Sequence, residues 1–94
     1  MNVVHCKREP FDVYIGRPSI FGNPYTHKDR ASAEYKVATR EEAIKCFREY
    51  FLRRVEIDAE FRAAVMELRG KTLGCWCKPE ACHGDVIREY LERL

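Results

Sequence analysis

Hydrophobic residues change their spacing along this chain. From Asn2 to Cys6 they alternate weakly with polar ones, which predicts a short strand carrying Val3, Val4 and His5. Asp12-Val13-Tyr14-Ile15 reads as a second strand, rich in β-branched and aromatic side chains and stopped at Gly16. From Thr39 the period becomes helical. Thr39 and Glu42 have the spacing of a capping box. The helix they open sets Ala43, Ile44, Phe47, Tyr50, Phe51 and Val55 on one face, with Cys46 beside it. Its other side holds the favourable i,i+4 pairs Glu41/Lys45 and Glu49/Arg53. Asp58 can cap a second helix, Ala59 to Arg69, with Phe61, Ala64, Val65 and Leu68 inward and Gly70 as terminator. Lys71 to Cys75 reads as a third strand. A last helix, Asp85 to Leu94, buries Val86, Ile87, Tyr90, Leu91 and Leu94.

Residues 16–38 are the least regular part. Gly16-Arg17-Pro18-Ser19-Ile20-Phe21-Gly22-Asn23-Pro24-Tyr25 has the glycine and proline content of a loop, and Ile20, Phe21 and Tyr25 argue that it is ordered. The order strand, strand, loop, helix, helix, strand, helix predicts one α/β domain over residues 1–94. It is a small sandwich, a short sheet of three or more strands packed with about three helices, and needs at least one crossover connection. The pattern does not specify the strand order.

Composition narrows the function classes. A length of 94 residues is one small domain, and a net charge of +2 is too small to argue nucleic-acid binding. Residues 1–40 carry seven Lys/Arg against four Asp/Glu, so the first part is weakly basic. Arg53, Arg54, Arg62 and Arg69 could form a basic strip, but intervening glutamates dilute it, which argues against nucleic acid as a partner. No apolar run approaches the roughly 18 residues of a membrane helix, and no signal peptide is visible, so a cytoplasmic protein is expected. In that setting five clustered cysteines read as ligands, reactive groups or buried hydrophobes rather than disulfides.

The chemistry concentrates in Gly74-Cys75-Trp76-Cys77-Lys78-Pro79-Glu80-Ala81-Cys82-His83-Gly84-Asp85, a turn from strand to helix. Cys75 and Cys77 point the same way on an extended backbone, and Cys82-His83 can fold back towards them. Three readings stay open. Cys75, Cys77, Cys82 and His83 could ligate zinc, although the spacing is unusual and a second knuckle is missing. Cys82, at a helix amino end beside His83, could be a reactive thiolate with Cys75 or Cys77 resolving its adducts. Alternatively the cysteines are small core residues, Trp76 plugs the core, and His83 and Asp85 cap the helix. In the earlier loop, Gly16 and Arg17 suit a phosphate or carboxylate, and Asn23 a sugar or base.

Val13-Tyr14-Ile15-Gly16-Arg17, Gly22-Asn23-Pro24-Tyr25, Gly70 to Cys77, Pro79 and Cys82-His83-Gly84-Asp85-Val86, in that order, resemble a small family of phages and bacteria catalogued only as a domain of unknown function. The resemblance spans nearly the whole chain, implies an intact single domain, and implies no activity. The Cys-His pair is also similar, locally, to that of another small uncharacterised bacterial family.

The residues themselves suggest a pocket for a small anionic ligand, nucleotide-like or a phosphorylated sugar, between the Gly16–Tyr25 loop and the Cys77–Asp85 turn. Arg17 and the amides at Gly84 and Asp85 would hold the anion. Gly16 and Gly22 would let the backbone approach the ligand, and Asn23 and Trp76 would meet a sugar or ring. Cys82, His83 and Asp85 would supply the chemistry of a transferase or hydrolase, with no cofactor unless zinc is bound. The rival expectation is a non-enzymatic module that binds a protein partner.

Overall fold

The computed structural model describes residues 1–26 and 35–94. The three expected strands are present as β1 (Val3–His5), β2 (Val13–Tyr14) and β5 (Leu73–Cys75). A second pair, β3 (Tyr25–Thr26) and β4 (Tyr35–Lys36), lies within the segment expected to be loop, of which residues 27–34 fall outside the described residues. The helices are α1 (Arg40–Ile57), α2 (Ala59–Met66) and α3 (His83–Glu92).

The main sheet has the order β1-β5-β2 and is parallel throughout, so the late strand β5 sits between the two early ones. Val3 and Val13 both pair with Leu73. Residues 6–12 therefore return the chain from the carboxyl end of β1 to the amino end of β2. A parallel crossover ordinarily takes a dozen residues or more, but strands of two or three residues advance only about 7–10 Å, so a short return suffices. Asp12 fixes its end, accepting from the Thr72 N–H at 2.7 Å while its own N–H donates to the Thr72 carbonyl at 2.8 Å.

The alternation of β5 sends Leu73 and Cys75 to the helical side and leaves Gly74 facing the return segment. The Phe11 ring lies against Gly74 so closely that a Cβ there would come within 2.6 Å of the ring. On the helical side, Phe47, Phe51 and Val55 of α1, Phe61 and Val65 of α2, and Val86, Ile87 and Leu91 of α3 enclose Ile15 and Leu73. Helical spacing thus picked the buried face of α1, with Ile44 and Tyr50 at its half-buried margin. The first turn of α3 rides directly on the sheet, where a Cβ on Gly84 would meet Ile15 Cδ1 at 2.7 Å and Val3 Cγ1 at 2.8 Å.

Local caps set the helix ends. Thr39 Oγ1 accepts from the Glu42 N–H at 3.1 Å, and Asp58 Oδ1 from the Phe61 N–H at 3.0 Å. The second helix ends at Met66 rather than Arg69, and a turn from Leu68 to Lys71 brings in Gly70 at φ +77°, a left-handed conformation. The third begins at His83 rather than Asp85 because Cys82 is its cap: its Sγ accepts from the Gly84 N–H at 3.3 Å, while Asp85 reaches back to the Cys82 N–H at 3.1 Å. Ile20 is exposed, while its neighbour Phe21 covers the core. Among the described residues no helix is long and apolar enough to cross a membrane.

Candidate functional site

One cavity of about 460 Å³ opens beside the carboxyl end of β2. The loop after β2 supplies Gly16, Arg17, Asn23 and Tyr25, the start of α1 supplies Arg40, Ala43 and Ile44, and the turn after β5 supplies Trp76, Cys77, Glu80 and His83. Arg17 and His83 therefore face the same space. So do Gly16, Asn23 and Trp76, whereas Gly22, Cys75, Cys82, Gly84 and Asp85 do not line it.

The loop holds its shape through its own polar groups. The Asn23 side chain donates to the Ala43 carbonyl at 3.2 Å and accepts from the Tyr25 N–H at 2.9 Å, so both ends of its amide tie the loop to α1. Arg17 Nη1 donates to the Asn23 carbonyl at 2.6 Å. A side chain at Gly22 would crowd the Arg17 backbone at 3.1 Å, and one at Gly16 would strike the Tyr14 phenol. That phenol donates to the Arg17 carbonyl at 2.8 Å and accepts from the Trp76 indole N–H at 2.8 Å, bracing loop against turn. Gly22 and Asn23, expected to meet a ligand, thus build the loop. Trp76 is 54% exposed rather than a core plug. Its ring stands edge-on to His5, with Lys7 Nζ 5.5 Å from its centroid.

The turn brings three thiols together. Cys75 and Cys82 are fully buried with their sulfurs 2.9 Å apart, and Cys77 lies half-buried at the cavity wall. The neighbouring groups, Cys75 first, then Cys82 and His83, hold the Cys77 thiol below the ordinary cysteine range. Cys82 is pushed the other way by Cys75, then by Cys77 and burial, and Cys75 is raised chiefly by Cys77. The thiol whose pKa is lowered is the one that reaches the cavity.

His83 Nε2 lies 2.8 Å from the Ile15 carbonyl, which can only accept, so this nitrogen carries a proton. Nδ1 faces Cys82 Sγ at 3.6 Å, and the ring edge packs on Phe47 with centroids 5.1 Å apart.

These positions revise the expected roles. Cys82 caps α3 inside the core, out of reach of a ligand, and Cys77 is the accessible thiol of this turn. Asp85 belongs to the cap rather than to the chemistry: its carboxylate receives the Cys82 N–H and Lys78 Nζ, the latter at 2.6 Å. Gly84 fills the contact between helix and sheet, and its N–H is engaged by Cys82, so this amide is not free to hold an anion. The Asp85 N–H likewise donates to the Cys82 carbonyl at 3.0 Å.

The zinc alternative fares no better in geometry. Two thiolates on a tetrahedral ion with bonds of about 2.3 Å lie about 3.8 Å apart, well beyond the 2.9 Å between Cys75 and Cys82. Among the described residues no group of three or more His, Cys, Asp or Glu is arranged to hold a metal ion.

Arg40 was not singled out by its spacing. It follows the Thr39 cap, a position that reads as an ordinary solvated first turn. Among the described residues no hydrogen bond or ion pair engages its guanidinium. Two arginines of the basic strip are otherwise employed. Arg54 bonds to Asp58 and the Tyr50 phenol, and Arg62 to the Val55 and Glu56 carbonyls.

No solved structure matches the chain. A protein of Enterobacteria phage T4, described as an uncharacterized 12.4 kDa protein in the nrdA-td intergenic region, is 41% identical over 92 residues, covering 98% of this chain and 78% of that protein. The model of a domain of unknown function (DUF4326) matches residues 2–93, nearly the full length of the fold described above, and the chain belongs to that family.

Proposed function

We propose that the cavity binds a small anionic molecule, nucleotide-like or phosphorylated. The observation that carries this reading is the placement of Arg40 on the wall of a cavity otherwise rich in rings and backbone. Its volume of about 460 Å³ falls within the usual range for small-molecule sites, about 300–1,000 Å³. Arg17 and Arg40 outnumber Glu80 among its charged residues and favour an anion. Tyr25, stacked on Tyr35 with centroids 5.1 Å apart, and Trp76 present aromatic faces that can flank a sugar or base. The anion is met by guanidinium groups rather than by the amino end of α3.

Isothermal titration with nucleoside mono- and diphosphates, sugar phosphates, inorganic phosphate and an uncharged nucleoside tests this. A phosphorylated member should bind, the uncharged nucleoside should not, and Arg40→Gln should weaken binding by about 10–100-fold, the worth of one charge-assisted hydrogen bond. Failure of every anion to bind, or undiminished binding by Arg40→Gln, would overturn the reading.

A further inference from the structure

Most polar side chains of the cavity are engaged within the fold. The Tyr14 phenol and the Asn23 amide each donate and accept, His83 Nε2 is anchored on the Ile15 carbonyl, and Arg17 holds the Asn23 carbonyl. Arg40 and Glu80 differ. Among the described residues no hydrogen bond or ion pair engages the guanidinium of the one or the carboxylate of the other. They carry opposite charges, Arg40 in the first turn of α1 and Glu80 in the turn after β5, and they line one cavity without pairing.

We propose that Glu80 is a specificity-determining residue of this site, accepting from a pair of adjacent hydrogen-bond donors on the part of the ligand remote from its anionic group. This deepens the anion-binding reading and rests on it. A nucleotide offers such a pair in two places: the ring N–H and exocyclic amine of a guanine, and the two hydroxyls of a ribose.

An ionised carboxylate has two acceptor oxygens and no donor, so it matches two donors side by side and repels a phosphate. Arg40 attracts the phosphate and Glu80 rejects it, so the two charges orient the ligand as well as hold it. Trp76 belongs to the same turn as Glu80 and lines the same cavity. A ring stacked on the indole therefore brings its edge, or the sugar attached to it, to the turn that bears the carboxylate. The turn is shaped by its backbone, with the Glu80 N–H donating to the Cys77 carbonyl at 2.8 Å, which leaves the side chain to the ligand.

The test is isothermal titration of the full chain with the 5′-monophosphates of guanosine, deoxyguanosine, adenosine and deoxyadenosine, and with inorganic phosphate. The wild type should prefer the guanine nucleotides over the adenine ones, or the ribonucleotides over the deoxyribonucleotides, by about 10–100-fold, the worth of hydrogen bonds to a charged group. The first pattern assigns the base edge to Glu80 and the second the sugar. Glu80→Gln should erase the preference and leave the affinity for inorganic phosphate unchanged. Arg40→Gln should weaken all four nucleotides and keep the preference. Glu80 is exposed, so its variant should fold as the wild type does, which circular dichroism checks. Four nucleotides that bind alike, a preference for adenine or deoxyribose, or a preference that survives in Glu80→Gln would overturn this inference and leave the anion-binding reading standing. Failure of every nucleotide and of phosphate to bind would overturn both.

Discussion

Gly84→Ala pits two known effects against each other at the contact between α3 and the sheet. Alanine is preferred over glycine inside a helix by about 1 kcal/mol, and by less in a first turn. Against this, the new methyl carbon would stand 2.7 Å from Ile15 Cδ1 and 2.8 Å from Val3 Cγ1. Ordinary carbon contacts are about 3.5–4.0 Å, so the neighbours must give way by about 1 Å. Ile15 has no exposed surface to move into, and its carbonyl holds His83. Overpacking of this kind costs about 1–3 kcal/mol, so the net effect is a loss of about 1–2 kcal/mol. For a domain of this size that lowers Tm by about 5–15 °C, measurable by circular dichroism. Gly70→Ala is the control. Nothing lies within 4 Å of its added methyl, and its cost comes from φ +77° alone, about 1–2 kcal/mol without any cavity response. The His83 ring signals in NMR should shift in Gly84→Ala and stay put in Gly70→Ala. A Gly84→Ala protein as stable as the wild type would refute the close approach of helix and sheet.

Phe47→Ala and Phe51→Ala should each lose about 3–5 kcal/mol in urea unfolding, since both rings are fully enclosed, while Glu49→Ala on the opposite side should stay within about 0.5 kcal/mol. Iodoacetamide should label Cys77 before Cys75 and Cys82. Its thiol is held below the usual range, so the rate should already be level near pH 7 instead of climbing through the ordinary pKa of about 8.5, and a climb through that value would contradict the assignment. Asp58 is held below its ordinary pKa first by the Phe61 N–H and then by Arg54, so its contribution to folding is present above the unfolded carboxylate pKa of about 3.9 and fades as pH falls through the lower folded value. Asp58→Ala should therefore be less stable than wild type at neutral pH and nearly indistinguishable from it in strong acid, as read by denaturation across pH.

The legible parts of the fold are those written in local chemistry. Thr39 and Asp58 cap through bonds that span three residues, and the buried face of α1 follows from helical spacing alone. The pairing of β5 between β1 and β2 was hidden, because any of the three short apolar runs suits a central position. Cys82 was misjudged for a related reason. A cysteine before a helix can be a reactive thiolate or a buried cap, and only the packing of Ile15 and Val3 against Gly84 decides between them. Trp76 suited either a core plug or a ring at a pocket, and what separates the two is the Tyr14 phenol that receives its indole N–H from a distant strand. Arg40 carried no local signal, since its role depends on where the loop after β2 comes to rest.

The placement of β5 between the two early strands also governs how the chain can be made. During synthesis from the amino end, Val3 and Val13 emerge well before Leu73, the residue that both must pair with. At about 5–20 residues per second, several seconds pass in which β1 and β2 have no neighbour in their sheet. The helical hairpin of α1 and α2, whose contacts are close in sequence, can settle during that interval. Its exposed phenylalanine face is then the surface on which the late strand and α3 assemble, so the turn bearing the three thiols is among the last parts of the molecule to close.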